Sequence, residues 1–151
     1  MPKLKIYMDS CCFNRPFDDL SHDKTRLECE AVLTIISKCE NGIWDIFESD
    51  VLNDEIDRIT DAVKKQKVIE LYSSASIYLE INDEIIGRAK ELYEINIKPF
   101  DALHLASAEH GGADILLTTD KKFINRALQS NAKIRVANPA IWLTEVLYND
   151  K

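Results

Sequence analysis

Four carboxylates sit at comparable places in the chain. Asp9 closes the apolar run Ile6-Tyr7-Met8, and Asp120 follows Ile115-Leu116-Leu117-Thr118-Thr119. Glu55 and Asp101 fall in or near the first turns of two predicted helices, within Ser49-Asp50-Val51-Leu52-Asn53-Asp54-Glu55-Ile56 and Pro99-Phe100-Asp101-Ala102-Leu103-His104. In an open α/β sheet, strand ends and the helix starts beside them gather at one edge. Four acids meeting there would offer oxygen donors suited to a hard divalent cation such as Mg²⁺ or Mn²⁺, with coordination positions left for water and a phosphate oxygen. A cation held this way polarises a phosphoryl oxygen, lowers the pKa of a bound water and stabilises the departing oxygen, and a carboxylate beside it orients or deprotonates that water. The chemistry indicated is phosphodiester hydrolysis, with one cation or two.

The acids do not carry equal weight. The chain has 26 acidic residues, so no single one decides anything. Asp101 also reads as a helix-start acid favoured by the helix dipole. Glu55 also reads as a solvated helix residue, with Asp54 and Asp57 as competing carboxylates. Asp9 and Asp120 each follow a buried-looking strand, the place where catalytic groups emerge in parallel sheets.

The elements that must position these acids alternate along the chain. Leu4–Met8 reads as a strand, and Ser10–His22 as a polar, turn-rich stretch broken at Asn14-Arg15-Pro16. Asp23 is the expected cap of a long helix to Cys39, with Leu27, Ala31, Val32, Ile35, Ile36 and Cys39 on its apolar face. Asn41-Gly42 stops it. A strand over 43–48 and a helix from Ser49 or Asp50 follow, then a helix over 60–73 and a strand over 76–81. Asn82 caps a helix with Ile85, Ile86, Ala89, Leu92 and Tyr93 on one face. After Pro99 come a helix over 101–110, a buried strand over 113–118, a helix over 121–129, a short strand over 134–136 and a helix from Pro139 to Leu147. This alternation predicts an α/β fold with a central, mostly parallel sheet covered by helices on both faces, in one domain over residues 1–151.

Bulk properties narrow the class. Hydrophobic residues make up 46% and charged residues 30% of 151, which excludes disorder. The apolar runs are too short for a membrane span, and the opening residues lack a secretory pattern, so the expectation is a cytoplasmic protein with no membrane partner. The four cysteines, Cys11, Cys12, Cys29 and Cys39, lack zinc or C-x-x-C spacing and read as free thiols. The net charge of −7 argues against broad electrostatic binding of nucleic acid. A local patch of Lys121, Lys122, Arg126, Lys133 and Arg135 offers a phosphate-facing surface, or a solvated helix face and strand edge.

The segments around the acids resemble the PIN-domain family of nucleases, which includes VapC-type toxins. The matching stretches are Ile6–Ser10, Ser49–Ile56, Asp101-Ala102-Leu103-His104-Leu105-Ala106-Ser107-Ala108 and Asp114–Phe123, in the family's order. The resemblance implies a three-layer α/β/α sandwich and Mg²⁺- or Mn²⁺-dependent endoribonuclease activity. It assigns Asp9, Glu55, Asp101 and Asp120 to both metal binding and catalysis, with Thr118 as a hydroxyl that orients a ligand or the substrate phosphate. It also implies RNA as substrate, a homodimer, and a small antitoxin that blocks the acidic pocket. The loop Cys11-Cys12-Phe13-Asn14-Arg15-Pro16-Phe17 departs from the toxins and points to a separate PIN subgroup.

Other residues have narrower readings. Arg15 and Lys121 are candidate substrate contacts, Arg15 alternatively bridging to Asp18, Asp19 or Glu28. His104 reads as a packed or hydrogen-bonded histidine among apolar neighbours, three residues beyond Asp101. Trp44 and Trp142 read as core. A haloacid-dehalogenase-type phosphatase would need an aspartate where Cys11 stands, and a receiver domain would need a phosphoacceptor after the third strand. A non-catalytic PIN-like nucleic-acid-binding or scaffold protein is the remaining alternative, motivated by the acidic charge and the unusual loop.

Overall fold

The computed structural model describes residues 3–149. Among them, five strands alternate with eight helices. In chain order these are β1 (Lys5–Met8), α1 (Ser10–Asn14), α2 (Asp23–Glu40), β2 (Asp45–Ser49), α3 (Asp50–Asp57), α4 (Ala62–Tyr72), β3 (Ile77–Leu79), α5 (Asp83–Glu94), α6 (Pro99–His110), β4 (Ile115–Leu117), α7 (Lys121–Leu128), β5 (Val136–Ala137) and α8 (Pro139–Asn149). A 3₁₀ turn over Arg15–Phe17 joins α1 to the loop before α2.

The strands form one sheet in the order β3-β2-β1-β4-β5, every neighbouring pair parallel. Ile6, Tyr7 and Met8 of the central strand are fully buried, as required of a strand covered on both faces. Right-handed crossovers carry α1–α4 over one face and α5–α7 over the other, giving the three-layer α/β/α sandwich; α8 packs on α2. From β1 the chain first builds outward through β2 and β3, then returns to add β4 and β5 on the other side. The reversal lies between β1 and β4, and ligands in such sheets bind beyond the carboxyl ends of the strands at that point. Met8 is in register with Leu117, so Asp9 and Thr118 leave the sheet side by side there.

Local chemistry sets the boundaries. Ser49 caps α3, its Oγ accepting from the Leu52 N–H at 3.1 Å. Asp61 caps α4, Asn82 caps α5 and Asp120 caps α7 in the same manner. Gly111 closes α6 where a Cβ would lie 2.7 Å from Leu79 Cδ2 and 3.1 Å from Phe47 Cε1, so a larger residue would have to push the Leu79 side chain aside for this turn to lie against the sheet. No helix among the described residues is long and apolar enough to cross a membrane.

The structure corrects several sequence expectations. Ser10–Asn14 is helical, because Asp9 leaves β1 in an extended conformation that suits an N-cap. Asp23 lies in the first turn of α2, and His22 occupies the cap position. Leu27 and Tyr93 fall outside the buried faces assigned to them, at 53% and 60% exposure, because only a narrow stripe of each helix meets a neighbour. β5 sits at Val136–Ala137, its place set by pairing with Leu116 and Leu117.

Candidate functional site

Asp9 follows β1 directly. Its N–H donates to the Leu117 carbonyl at 3.2 Å, which ties it to β4. Its side chain makes no cap bond to α1 and is buried. The Cys11 thiol donates to Asp9 Oδ1 at 2.7 Å. Cys11 Sγ also accepts from the Thr119 N–H at 3.3 Å and lies 3.4 Å from Thr118 Oγ1. Burial first, then Cys11, pushes the Asp9 carboxyl well above the usual range. The Cys11 thiol moves the other way, to about 5: hydrogen bonding with Cys12 leads, and contacts with Asp9, Thr118 and Thr119 add to it against the opposing effect of burial. Asp9 and Cys11 thus compete for one proton.

Glu55 projects from α3. Ser10 Oγ donates to its Oε1 at 3.1 Å, and His104 Nε2 bonds the same oxygen. Burial works against its charge, but His104, Ser10 and the Arg58 charge outweigh it and hold the carboxyl below the ordinary range. His104 is 1% exposed, and its Nδ1 lies 2.6 Å from the Tyr7 hydroxyl. Tyr7 in turn lies 2.8 Å from Ser49 Oγ.

Asp101 stands in the first turn of α6, one turn before His104. Burial pushes its carboxyl up to about 6; His104 opposes, while Asp120, Glu55 and Cys11 add to the rise. Asp120 ends the β4 segment, its Oδ1 accepting from the N–H groups of Lys122 and Phe123 at 2.9 and 3.3 Å and its own N–H donating to Thr118 Oγ1 at 3.1 Å. These couplings link the acids: Asp101 senses Asp120 and Glu55, and Asp9 senses Glu55. Among the described residues, the trio whose donor atoms lie within 4.8 Å of one another is Asp9, Cys11 and Cys12, so the carboxylates form a wider, more open set. Their oxygen donors and mutual repulsion fit a hard divalent cation, whose charge would relieve that repulsion. Asp9, Glu55, Asp101 and Asp120 would hold it, with Cys11 beside them as a softer donor.

The other candidates divide. Thr118 is fully buried against Asp120 and Cys11. Lys121 opens α7 and is exposed. Arg15, expected as a phosphate contact, bonds Asp18 at 2.8 Å and the buried Glu28 at 2.9 Å, which is its alternative reading. Trp44 and Trp142 stack edge to face in the core, ring centroids 5.4 Å apart. Ser10, Tyr7 and Ser49 were not singled out from sequence. Only Ser49 carried a signal, as a cap, because the other contacts join residues far apart in the chain.

Comparison with known proteins agrees with this architecture. The family model of the PIN domain matches residues 6–129. No curated protein matches the chain. Among solved structures, the fold is similar to a chain in the crystal structure of VapBC2 from Rickettsia felis bound to a DNA fragment from their promoter. That match has a TM-score of 0.59 and 14% identity, and covers 88% of this chain and 98% of the other. It is also similar to PAE2754 from Pyrobaculum aerophilum, with a TM-score of 0.53 and 15% identity over 95% of this chain and 90% of that one. Those identities speak to the fold alone. The family match spans most of the 151 residues and includes all four acids, and the chain belongs to the PIN domain family.

Proposed function

We infer that this chain is a single-domain, divalent-metal-dependent endoribonuclease, with Asp9, Glu55, Asp101 and Asp120 as its metal-binding and catalytic carboxylates. The observation that carries the reading is the gathering of the four acids at the sheet's switch point, where Asp101, pushed up to about 6 chiefly by burial, also feels the charges of Asp120 and Glu55, and Asp9 feels Glu55. Carboxylates that are buried and repel one another are poor structural choices and good cation donors. Mg²⁺ or Mn²⁺ bound there supplies Lewis acidity toward a phosphoryl oxygen and a water of lowered pKa.

The chain's own residues do the rest. The carboxylates orient the attacking water and accept its proton. Thr118 holds the Asp120 backbone, and the exposed Lys121 ammonium meets a substrate phosphate at the start of α7. Family membership supports RNA as substrate and a homodimer as the working form. The VapBC2 likeness supports a small antitoxin-like protein as partner, seated over the acidic edge.

The test is cleavage of a mixed RNA and DNA panel with Mg²⁺, Mn²⁺ or chelator. RNA cleavage that needs the cation and disappears in Asp9→Asn and Asp101→Asn is expected, with far-UV circular dichroism unchanged. A panel left intact by a protein that binds no divalent cation overturns the reading.

A further inference from the structure

The hydrogen bonds reaching Glu55 continue inward through the core. The Leu52 N–H donates to Ser49 Oγ. In one arrangement that satisfies every member, the Ser49 hydroxyl donates to the Tyr7 oxygen and the Tyr7 O–H to His104 Nδ1, which leaves the His104 ring proton on Nε2, facing Glu55 Oε1. In that arrangement the protons all point one way, from Ser49 at the end of β2 through β1 and α6 to a carboxylate on α3. Tyr7 and Ser49 are fully buried, and His104 nearly so. A polar chain in a packed core is costly if any member lacks a partner, and here each has one.

The route also decides which atoms are held. Its ends lie at Ser49, where β2 passes into α3, and at Glu55 on α3, while its middle members lie on β1, two residues before Asp9, and on α6, three residues after Asp101. Ser10 and His104 both bond Oε1 of Glu55, which leaves Oε2 without either bond.

We propose that His104 and Tyr7 are positioning residues, which fix the Glu55 carboxylate relative to Asp9 and Asp101 so that Oε2 is presented to a divalent cation. This rests on the metal reading of the same site. Neither residue touches the cation or the substrate; both act through Glu55. Partners of this kind, one bond removed from a ligand, change metal affinity by about 10- to 100-fold when lost.

The experiment titrates Mn²⁺ by calorimetry into wild type, His104→Leu, His104→Gln, Tyr7→Phe and Glu55→Gln, with RNA cleavage measured across Mn²⁺ concentrations. His104→Leu is expected to weaken Mn²⁺ binding by about tenfold or more, and Tyr7→Phe by less. In both, raised Mn²⁺ restores most of the cleavage, whereas a merely structural defect lowers cleavage at every concentration. His104→Gln recovers part of the affinity, because its amide can donate to Glu55 and accept from Tyr7. Should His104→Leu fail to fold, Tyr7→Phe, which removes one oxygen atom, carries the test. Nitrogen NMR of metal-free wild type should show the Nε2–H tautomer of His104. Mn²⁺ affinities within twofold of wild type in the His104 and Tyr7 variants, with Glu55→Gln impaired, overturn this inference alone, as does the opposite tautomer. Wild-type protein that binds no Mn²⁺ overturns the metal reading and this inference with it.

Discussion

His104 Nε2 and Glu55 Oε1 form a hydrogen bond between α6 and α3, across 49 positions of sequence. The bond joins an almost fully buried ring to a carboxylate at the sheet edge. It links the packed core to the one candidate metal ligand carried on α3. The four acids therefore differ in how they are held: Glu55 by a chain of buried side chains, Asp120 by the helix it caps, Asp9 by a thiol, and Asp101 by burial among the others.

Asp101 makes stability depend on pH in a defined direction. Its folded carboxyl titrates near 6 against 3.8 ordinarily, so the folded state keeps a proton that the unfolded chain has lost between those values. Its charge therefore costs stability in full above about pH 6, and the cost vanishes below about pH 4. A shift of that size would be worth about 3 kcal/mol if wholly buried, and solvent screening at a partly exposed group cuts this to roughly 1 kcal/mol. Metal-free Asp101→Asn should melt about 2–4 °C above wild type at pH 7.5, with no difference at pH 3.5. Equal melting temperatures at both pH values would show that burial imposes no such cost on the Asp101 charge.

Asp120 has a capping role and a proposed chemical one, and two substitutions separate them. Asparagine caps a helix about as well as aspartate, whereas alanine costs about 1 kcal/mol. Asp120→Asn should keep the wild-type melting temperature and lose cleavage. Asp120→Ala should lose both. Full cleavage by Asp120→Asn would leave Asp120 as a cap alone.

Cys11 should be the reactive thiol. Its thiolate forms as pH rises through about 5, whereas Cys39 is pushed up to about 11, and burial raises Cys12 and Cys29. Iodoacetamide at pH 6.5 is expected to modify Cys11 first by peptide mapping, at a rate that levels off above about pH 6. A rate that keeps climbing to pH 9 would mean that Asp9 holds the negative charge and Cys11 the proton. Bound Mn²⁺ should slow the labelling.

Arg15 should matter for folding more than for cleavage. Removing it leaves Glu28, at 1% exposure, with Asn138 as its remaining partner. Arg15→Ala is expected to cost about 2–3 kcal/mol in urea unfolding, the penalty of a buried carboxylate stripped of its ion pair. Cleavage per folded molecule should stay within about twofold of wild type if the guanidinium touches no phosphate. A selective rise in KM for RNA would restore the substrate role.

Much of this architecture was legible along the chain. Hydrophobic runs bounded by Asn41-Gly42 and Pro99 marked elements whose ends are set by local geometry, and Asp9 and Asp120 stood out because each directly follows such a run. Helix faces were less legible at Leu27 and Tyr93, because periodicity tells which residues share a side and not how much of that side another element covers. The helical start at Ser10 was hidden because a five-residue helix has too few turns to show a period.

Sequence alone determined the order of the strands and of the helices other than α1, the parallel α/β class and the choice of four candidate acids, since these follow from short-range pattern and from motifs that each fit within one short stretch. Only the tertiary structure decided what surrounds those acids. Parallel pairing sets Met8 beside Leu117, which brings Cys11 to Thr118 and Thr119 across more than a hundred residues. Packing of α6 against α3 turns His104 onto Glu55 and Tyr7, and Arg15 is drawn to Glu28 on α2. Such contacts depend on how elements dock, which is a property of the whole packed core and is written in no single stretch of the chain.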